Sequence, residues 1–131
     1  VIDDTYNANP LSLASALRSA AEIFPRARKI AILSDMKELG DAAPHCHEVC
    51  GASVARYGFH ALLVWGPMAR HYAAGALSAG LADGQVKVFD TKEDLIRHAA
   101  SILQPDDVVL VKGSRSMKME EVVRAILGKG L

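Results

Sequence analysis

Short apolar runs with no polar interruption alternate along the chain with longer stretches in which apolar residues recur every three or four positions. The first pattern predicts strands covered on both faces, the second amphipathic helices. Strands are expected at residues 1–4, 29–33, 60–65, 86–90 and 108–111, the last being the most apolar. The first helix is expected over 10–24, with Leu13, Leu17, Ala20, Ala21 and Phe24 on one face. A second over 45–57 would turn Cys46, Val49, Cys50, Ser53 and Tyr57 inward, and a third covers 68–79. The fourth opens at Thr91 and packs Leu95, Ile96, Ala99, Ile102 and Leu103, and the fifth, over 117–127, buries Met119, Val122, Val123, Ile126 and Leu127. Asn9 and Pro10 suit the N-cap and first helical positions, and Thr91 with Asp94 resembles a capping box. Pro25 stops the first helix, while Gly58 and Gly128 are natural left-handed ends for the second and fifth.

Strand-then-helix units in strict alternation predict an α/β fold, a doubly wound, mainly parallel and Rossmann-like sheet with helices on both faces. Nothing in the pattern marks an interior linker or a repeat, so residues 1–131 are expected to form one domain. All loops that follow strands then lie along one edge, where such sheets bind ligands. Three of these loops are polar: the turn from Asp3 to Pro10, the loop over 34–44, and Lys112-Gly113-Ser114-Arg115-Ser116.

Charge changes the picture by exclusion. Lys plus Arg and Asp plus Glu each number 15, giving zero net charge. That balance offers no basic stripe for nucleic acid or a membrane surface. No apolar run approaches the roughly 18 residues of a membrane span. Without a signal peptide, and with two cysteines, the chain reads as a cytoplasmic protein with no disulfide framework. It begins with Val1, already inside a strand, which suggests a domain cut from a longer protein.

The chemistry should gather at the polar edge. Asp3 and Asp4, then Asn7, Asn9 and Pro10, bring carboxylates, amides and the free N–H groups of a helix start to one turn. Lys112 and Arg115 add fixed positive charge, and Ser114 and Ser116 hydroxyls, a cradle for phosphate or carboxylate. It is not the phosphate loop of ATPases, which needs G-x-x-x-x-G-K-[ST].

These motifs carry a resemblance. Asp3-Asp4-Thr5-Tyr6-Asn7-Ala8-Asn9-Pro10, then Asp35-Met36-Lys37-Glu38-Leu39-Gly40 with His47 and Glu48, then Val111-Lys112-Gly113-Ser114-Arg115-Ser116-Met117 with Glu120, resemble the C-terminal domain of the Mur ligases. Tyr-Asn-Ala-Asn-Pro and Lys-Gly-Ser-Arg point to the MurF branch, which joins D-alanyl-D-alanine to UDP-MurNAc-tripeptide during peptidoglycan synthesis. Ser34 departs from the pattern, since the family usually has glycine there. The resemblance implies an ATP-dependent amide ligation through an acyl phosphate. Its implied partners are those two substrates and the N-terminal and central domains of the same chain, with the Mg²⁺ ligands and triphosphate grip in the central domain. The piece alone is not expected to turn over. By the same resemblance, Asp4 would hold the ATP ribose, with Tyr6, Asn7 and Asn9 lining the nucleotide. Lys112, Ser114 and Arg115 would face the dipeptide carboxylate or the acyl phosphate, and Asp35, Lys37, Glu38 and His47 would border the incoming amine.

Other readings are weaker. His45, Cys46, His47 and Cys50 lack the C-x-x-C spacing of a zinc site, and both cysteines fall on the apolar stripe. His60, His71 and His98 have no partner motif, and Trp65, Met68 and Tyr72 read as packing. A receiver-like signalling module shares the paired acids and a Lys after the fifth strand, and a non-catalytic nucleotide-binding module shares the fold. A receiver needs an Asp where this chain has Trp65-Gly66.

Overall fold

The computed structural model describes residues 1–128. It contains β1 (Ile2–Asp4), α1 (Pro10–Ile23), β2 (Lys29–Ser34), α2 (Ala43–Arg56), β3 (Ala61–Trp65), α3 (Ala69–Ser78), β4 (Val86–Phe89), α4 (Lys92–Ile102), β5 (Val108–Lys112) and α5 (Glu120–Gly128). The strands form one sheet in the order β1-β5-β2-β3-β4, every pair parallel. The doubly wound α/β architecture expected from the alternation is the one observed.

Burial explains the strand runs. Every residue of β2 is buried, because β5 and β3 flank it and helices cover both faces. Ala31 and Leu33 pack with Leu13 and Leu17 of α1, Val54 of α2 and Tyr72 of α3. Ile30 and Ile32 point the other way, to Leu95 of α4 and Val122 and Ile126 of α5. The edge strand β4 is the least buried and leaves Val88 half exposed.

Helix ends follow local chemistry. Asn9 accepts the Ser12 amide at 2.8 Å and Ser12 Oγ accepts the Asn9 amide at 3.1 Å, a reciprocal box around Pro10 at the start of α1. Thr91 forms only one half of such a box, accepting the Asp94 amide at 3.0 Å. Where α2 crosses α3, the backbones nearly touch. A β-carbon at Gly51 would lie 1.9 Å from the Tyr72 carbonyl oxygen, and one at Gly75 1.8 Å from that of Glu48.

Two helices differ from expectation. The buried face of α2 is His47, Cys50, Gly51 and Val54, while Val49 is exposed and Cys46 only half-buried. A histidine turned inward displaces the expected stripe because both its ring nitrogens find partners there. The last helix does not start at Met117. Residues 115–117 form a 3-10 turn, Lys118 adopts φ +52°, and α5 begins at Glu120. Met119, Val122, Val123 and Ile126 are buried as expected, but Leu127 is exposed, as is Phe24 at the end of α1. The expected end of α5 at Gly128 coincides with the last described residue. No helix among the described residues is long and apolar enough to cross a membrane.

Candidate functional site

The middle of the carboxyl edge is the 34–37 segment leaving β2. Parallel neighbours on both sides bury Ser34, Asp35 and Met36, so their polar groups must bond to protein. Ser34 Oγ donates to the Trp65 carbonyl, and the Ser34 carbonyl accepts Tyr72 Oη at 2.9 Å. Asp35, 2% exposed, accepts the Met68 amide at 2.9 Å. The Met36 amide donates to His47 Nε2 at 2.9 Å, and the Lys37 amide to Ser114 Oγ at 2.7 Å. Ser114 returns its own amide to the Asp35 carbonyl at 2.9 Å. β2, β3, α2, α3 and the turn after β5 are thereby tied to one rigid segment.

His47 is fully buried. Its Nδ1 lies 2.6 Å from the Ala43 carbonyl, so it is the donor there and Nε2 the acceptor, the neutral tautomer. Burial holds its pKa below the ordinary value, against smaller upward pulls from the Ala43 carbonyl and Asp35. Close approach also restricts the turn after β3. Gly66 has φ +128°, and a β-carbon there would lie 2.5 Å from Asp35 Oδ1.

At the β1 end, Lys112 is buried between β1 and β2 at 2% exposure. Its ammonium donates to Asp4 Oδ2 at 2.7 Å and to the Asn7 carbonyl at 2.9 Å. This pair fixes the turn that follows β1. Outside it lies a cavity of about 390 Å³ lined by Asp3, Asp4, Thr5, Tyr6, Arg115 and Glu120. Tyr6 is 74% exposed, and the Arg115 guanidinium sits 5.1 Å from its ring centroid. Exposed ring, half-exposed carboxylate and free cation at one edge can take a base, a sugar and a phosphate oxygen.

Residues 1–115 match the family model described as Mur ligase, glutamate ligase domain. The chain belongs to this Mur ligase family. The UDP-N-acetylmuramoyl-tripeptide–D-alanyl-D-alanine ligase of Bacillus subtilis (strain 168) is 32% identical over 127 residues, covering 97% of this chain and 28% of the relative. That of Escherichia coli (strain K12) is 34% identical over 132 residues, covering 99% and 27%. Among solved structures, the MurF ligase of Thermotoga maritima in complex with ADP superposes with a TM-score of 0.76 at 26% identity, covering 97% of this chain and 27% of that one. A crystal structure of MurF from Acinetobacter baumannii gives 0.78 at 27%, covering 96% and 27%. The chain therefore spans about a quarter of the length of the relatives it matches.

The Mur ligase domain brings all three expected loops to one edge, but divides their residues by accessibility. Tyr6, Asn7, Asn9, Lys37, Glu38 and Arg115 are exposed, and Asp4 is half exposed. Asn9 uses its side-chain oxygen to cap α1, and Asn7 turns its own onto the next amide at 2.9 Å. Lys112, Ser114, Asp35 and His47 are buried and already bonded, and they hold the loops that carry the exposed residues. Ser34, the departure from the family pattern, ties β2 to β3 through its hydroxyl, and its β-carbon lies 3.2 Å from where one on Gly113 would sit. Cys50 is core, its thiol pushed up to about 11 by burial. Among the described residues no three His, Cys, Asp or Glu side chains gather as a metal site. The receiver reading finds no support, since β3 ends at Trp65 within a fold matched to Mur ligases.

Proposed function

We propose that this chain is the C-terminal domain of an ATP-dependent ligase that joins D-alanyl-D-alanine to UDP-MurNAc-tripeptide in the cytoplasm. The observation that carries this reading is the Asp4–Tyr6–Arg115 cavity at the sheet's carboxyl edge, in a domain similar over 97–99% of its length to UDP-N-acetylmuramoyl-tripeptide–D-alanyl-D-alanine ligases. A carboxylate is a poor acyl donor until ATP converts one oxygen to a phosphate leaving group. The dipeptide amine then attacks the carbonyl carbon, phosphate departs, and the nitrogen loses a proton as the amide forms.

Each accessible residue has a part suited to its chemistry. Tyr6 offers the adenine a flat apolar face, with Asn7 and Asn9 beside it. Asp4 offers the ribose hydroxyls an acceptor oxygen. Arg115, together with Lys37 whose ammonium lies 3.5 Å from Asp35 Oδ2, is an exposed cation that can meet charge on the phosphoryl group, and Glu38 borders the amine's approach. Lys112, Ser114, Asp35 and His47 are positioning residues. Mg²⁺ would supply charge neutralisation at the phosphates. On this reading its ligands lie in the central domain of the full protein.

The test is phosphate release by the full-length protein given ATP, Mg²⁺ and UDP-MurNAc-tripeptide, with and without D-alanyl-D-alanine. Release that depends on the dipeptide is expected. Release indifferent to it, from a folded protein that binds ATP, would overturn the reading.

A further inference from the structure

The parallel sheet has a second edge, formed by the amino ends of its strands, opposite the loops described above. A cavity of about 200 Å³ opens there, lined by Arg28 before β2, His60 before β3, Lys87 on β4 and His98 on α4. Ala61 and Leu63 of β3 form its apolar wall. Lys87 is the register partner of Leu63, so its side chain stands on the sheet face that α4 covers. Segments far apart in the chain thus bring a guanidinium, an ammonium and two imidazoles to one opening, and no carboxylate lines it. In a chain with equal numbers of acids and bases, that is a local excess of positive charge and N–H donors.

The surroundings are fixed. Arg28 Nε donates to Asp107 Oδ1 at 2.8 Å, and Nη2 donates to Asp107 Oδ2 at 2.6 Å and to the Ile102 carbonyl at 2.7 Å. Asp107 also accepts the Gln104 amide at 2.9 Å, and the guanidinium beside it holds its carboxyl below the usual carboxylate range. Gln85 ties the loop before β4 to the start of β3, donating to the His60 carbonyl at 2.8 Å while accepting the Ala82 amide at 2.9 Å. The His98 ring is set by Phe89, at 5.4 Å between centroids. Among the described residues, Lys87, His60 and His98 make no ion pair, unlike Arg28, Lys92, Arg97 and Lys112. An inward-pointing lysine on an edge strand also hinders strand addition. That role needs one charge, and it gives no reason for two imidazoles and a guanidinium around the same opening.

We propose that this amino-edge cavity binds a phosphate group, with Lys87 and Arg28 supplying charge and His60 and His98 supplying N–H donors. A phosphate group presents at least three acceptor oxygens and so suits donors converging from separate segments, where a carboxylate has two. Imidazole keeps an N–H donor whether neutral or charged. The volume lies below the roughly 300–1,000 Å³ of pockets that enclose larger ligands. The occupant is therefore free phosphate, or the terminal phosphate of a molecule whose remainder lies outside. The site shares no residue with the Asp4–Arg115 cavity and stands apart from the ligase reading.

The experiment is equilibrium dialysis of radiolabelled inorganic phosphate against the full-length protein, as wild type, Lys87→Gln and His60→Gln. Both positions are exposed, so the variants fold. Phosphate held at the nucleotide end is common to all three proteins and cancels in the comparison. Each variant should weaken the additional phosphate site roughly tenfold, the loss of one charged hydrogen bond, and Lys87→Arg should retain it. Glycerol phosphate is the second probe. If it displaces the variant-sensitive label no better than unlabelled phosphate does, the site takes the free ion; if it displaces the label better, the site takes a phosphorylated molecule. A wild type that holds no more phosphate than the two variants would overturn the site and leave the ligase reading untouched.

Discussion

The two ends of the carboxyl edge are built on opposite plans. At the β1–β5 end the inner charges are already bonded, Lys112 holding Asp4 and the Asn7 carbonyl and Thr5 donating to Asp3 at 2.6 Å, while Arg115 lies over the Tyr6 ring. At the β3–β4 end, Arg70 and Asp90 line a cavity with Trp65 and Phe89 and have no ion-pair partner among the described residues. A pre-bonded end presents fixed shape and acceptors, suited to a large ligand gripped elsewhere as well. Between them, the 34–37 segment is tied to both, so that the two ends keep one spacing.

Substitutions that attack the supports of either end separate them. Gly51→Ala drives a methyl into the Tyr72 backbone and should cost about 3 kcal/mol in urea unfolding, with faster hydrogen exchange first at Met68 and Met36. Lys112→Ala leaves Asp4 and the Asn7 carbonyl without their buried partner. Because Asp4 is 40% exposed, the cost should be roughly 2 kcal/mol, below that of a fully buried pair, and disorder should stay near β1. His47→Gln should cost on the order of 1 kcal/mol at pH 7 through the Met36 hydrogen bond. It should also change the acid response. The folded state keeps His47 neutral with a lowered pKa, while the unfolded chain binds the proton. That stability is present above the ordinary histidine value near 6.5 and is lost as pH falls through the folded pKa. The variant should lack that part of the slope in thermal melts. Arg115→Ala and Lys37→Ala should shift stability by less than about 0.5 kcal/mol, since both side chains are exposed, yet lower turnover of the full-length protein.

The strands were legible because a strand between parallel neighbours needs unbroken apolar residues, as in β2 and β5. Helix starts at Asn9-Pro10 and Thr91 were legible because their bonds are local. The inward face of α2 was also written in the chain, at the helical spacing of His47, Cys50, Gly51 and Val54, but hidden by counting histidine and glycine as polar. The late start of α5 left no such signal, for a lysine at positive φ is set by tertiary packing. The site loops could be found from their place after strands. Which of their side chains stay free could not, since the burial of Lys112 depends on β1 and β2 closing around it from distant parts of the chain.

The assignment of the β1–β5 end to the nucleotide is tested most directly by two Michaelis constants of the full-length protein. Tyr6→Ala removes an exposed ring and should raise the ATP KM roughly tenfold, as expected for a lost base stack, without moving the dipeptide KM. An unchanged ATP KM, or a variant that moves both constants together, would contradict the account.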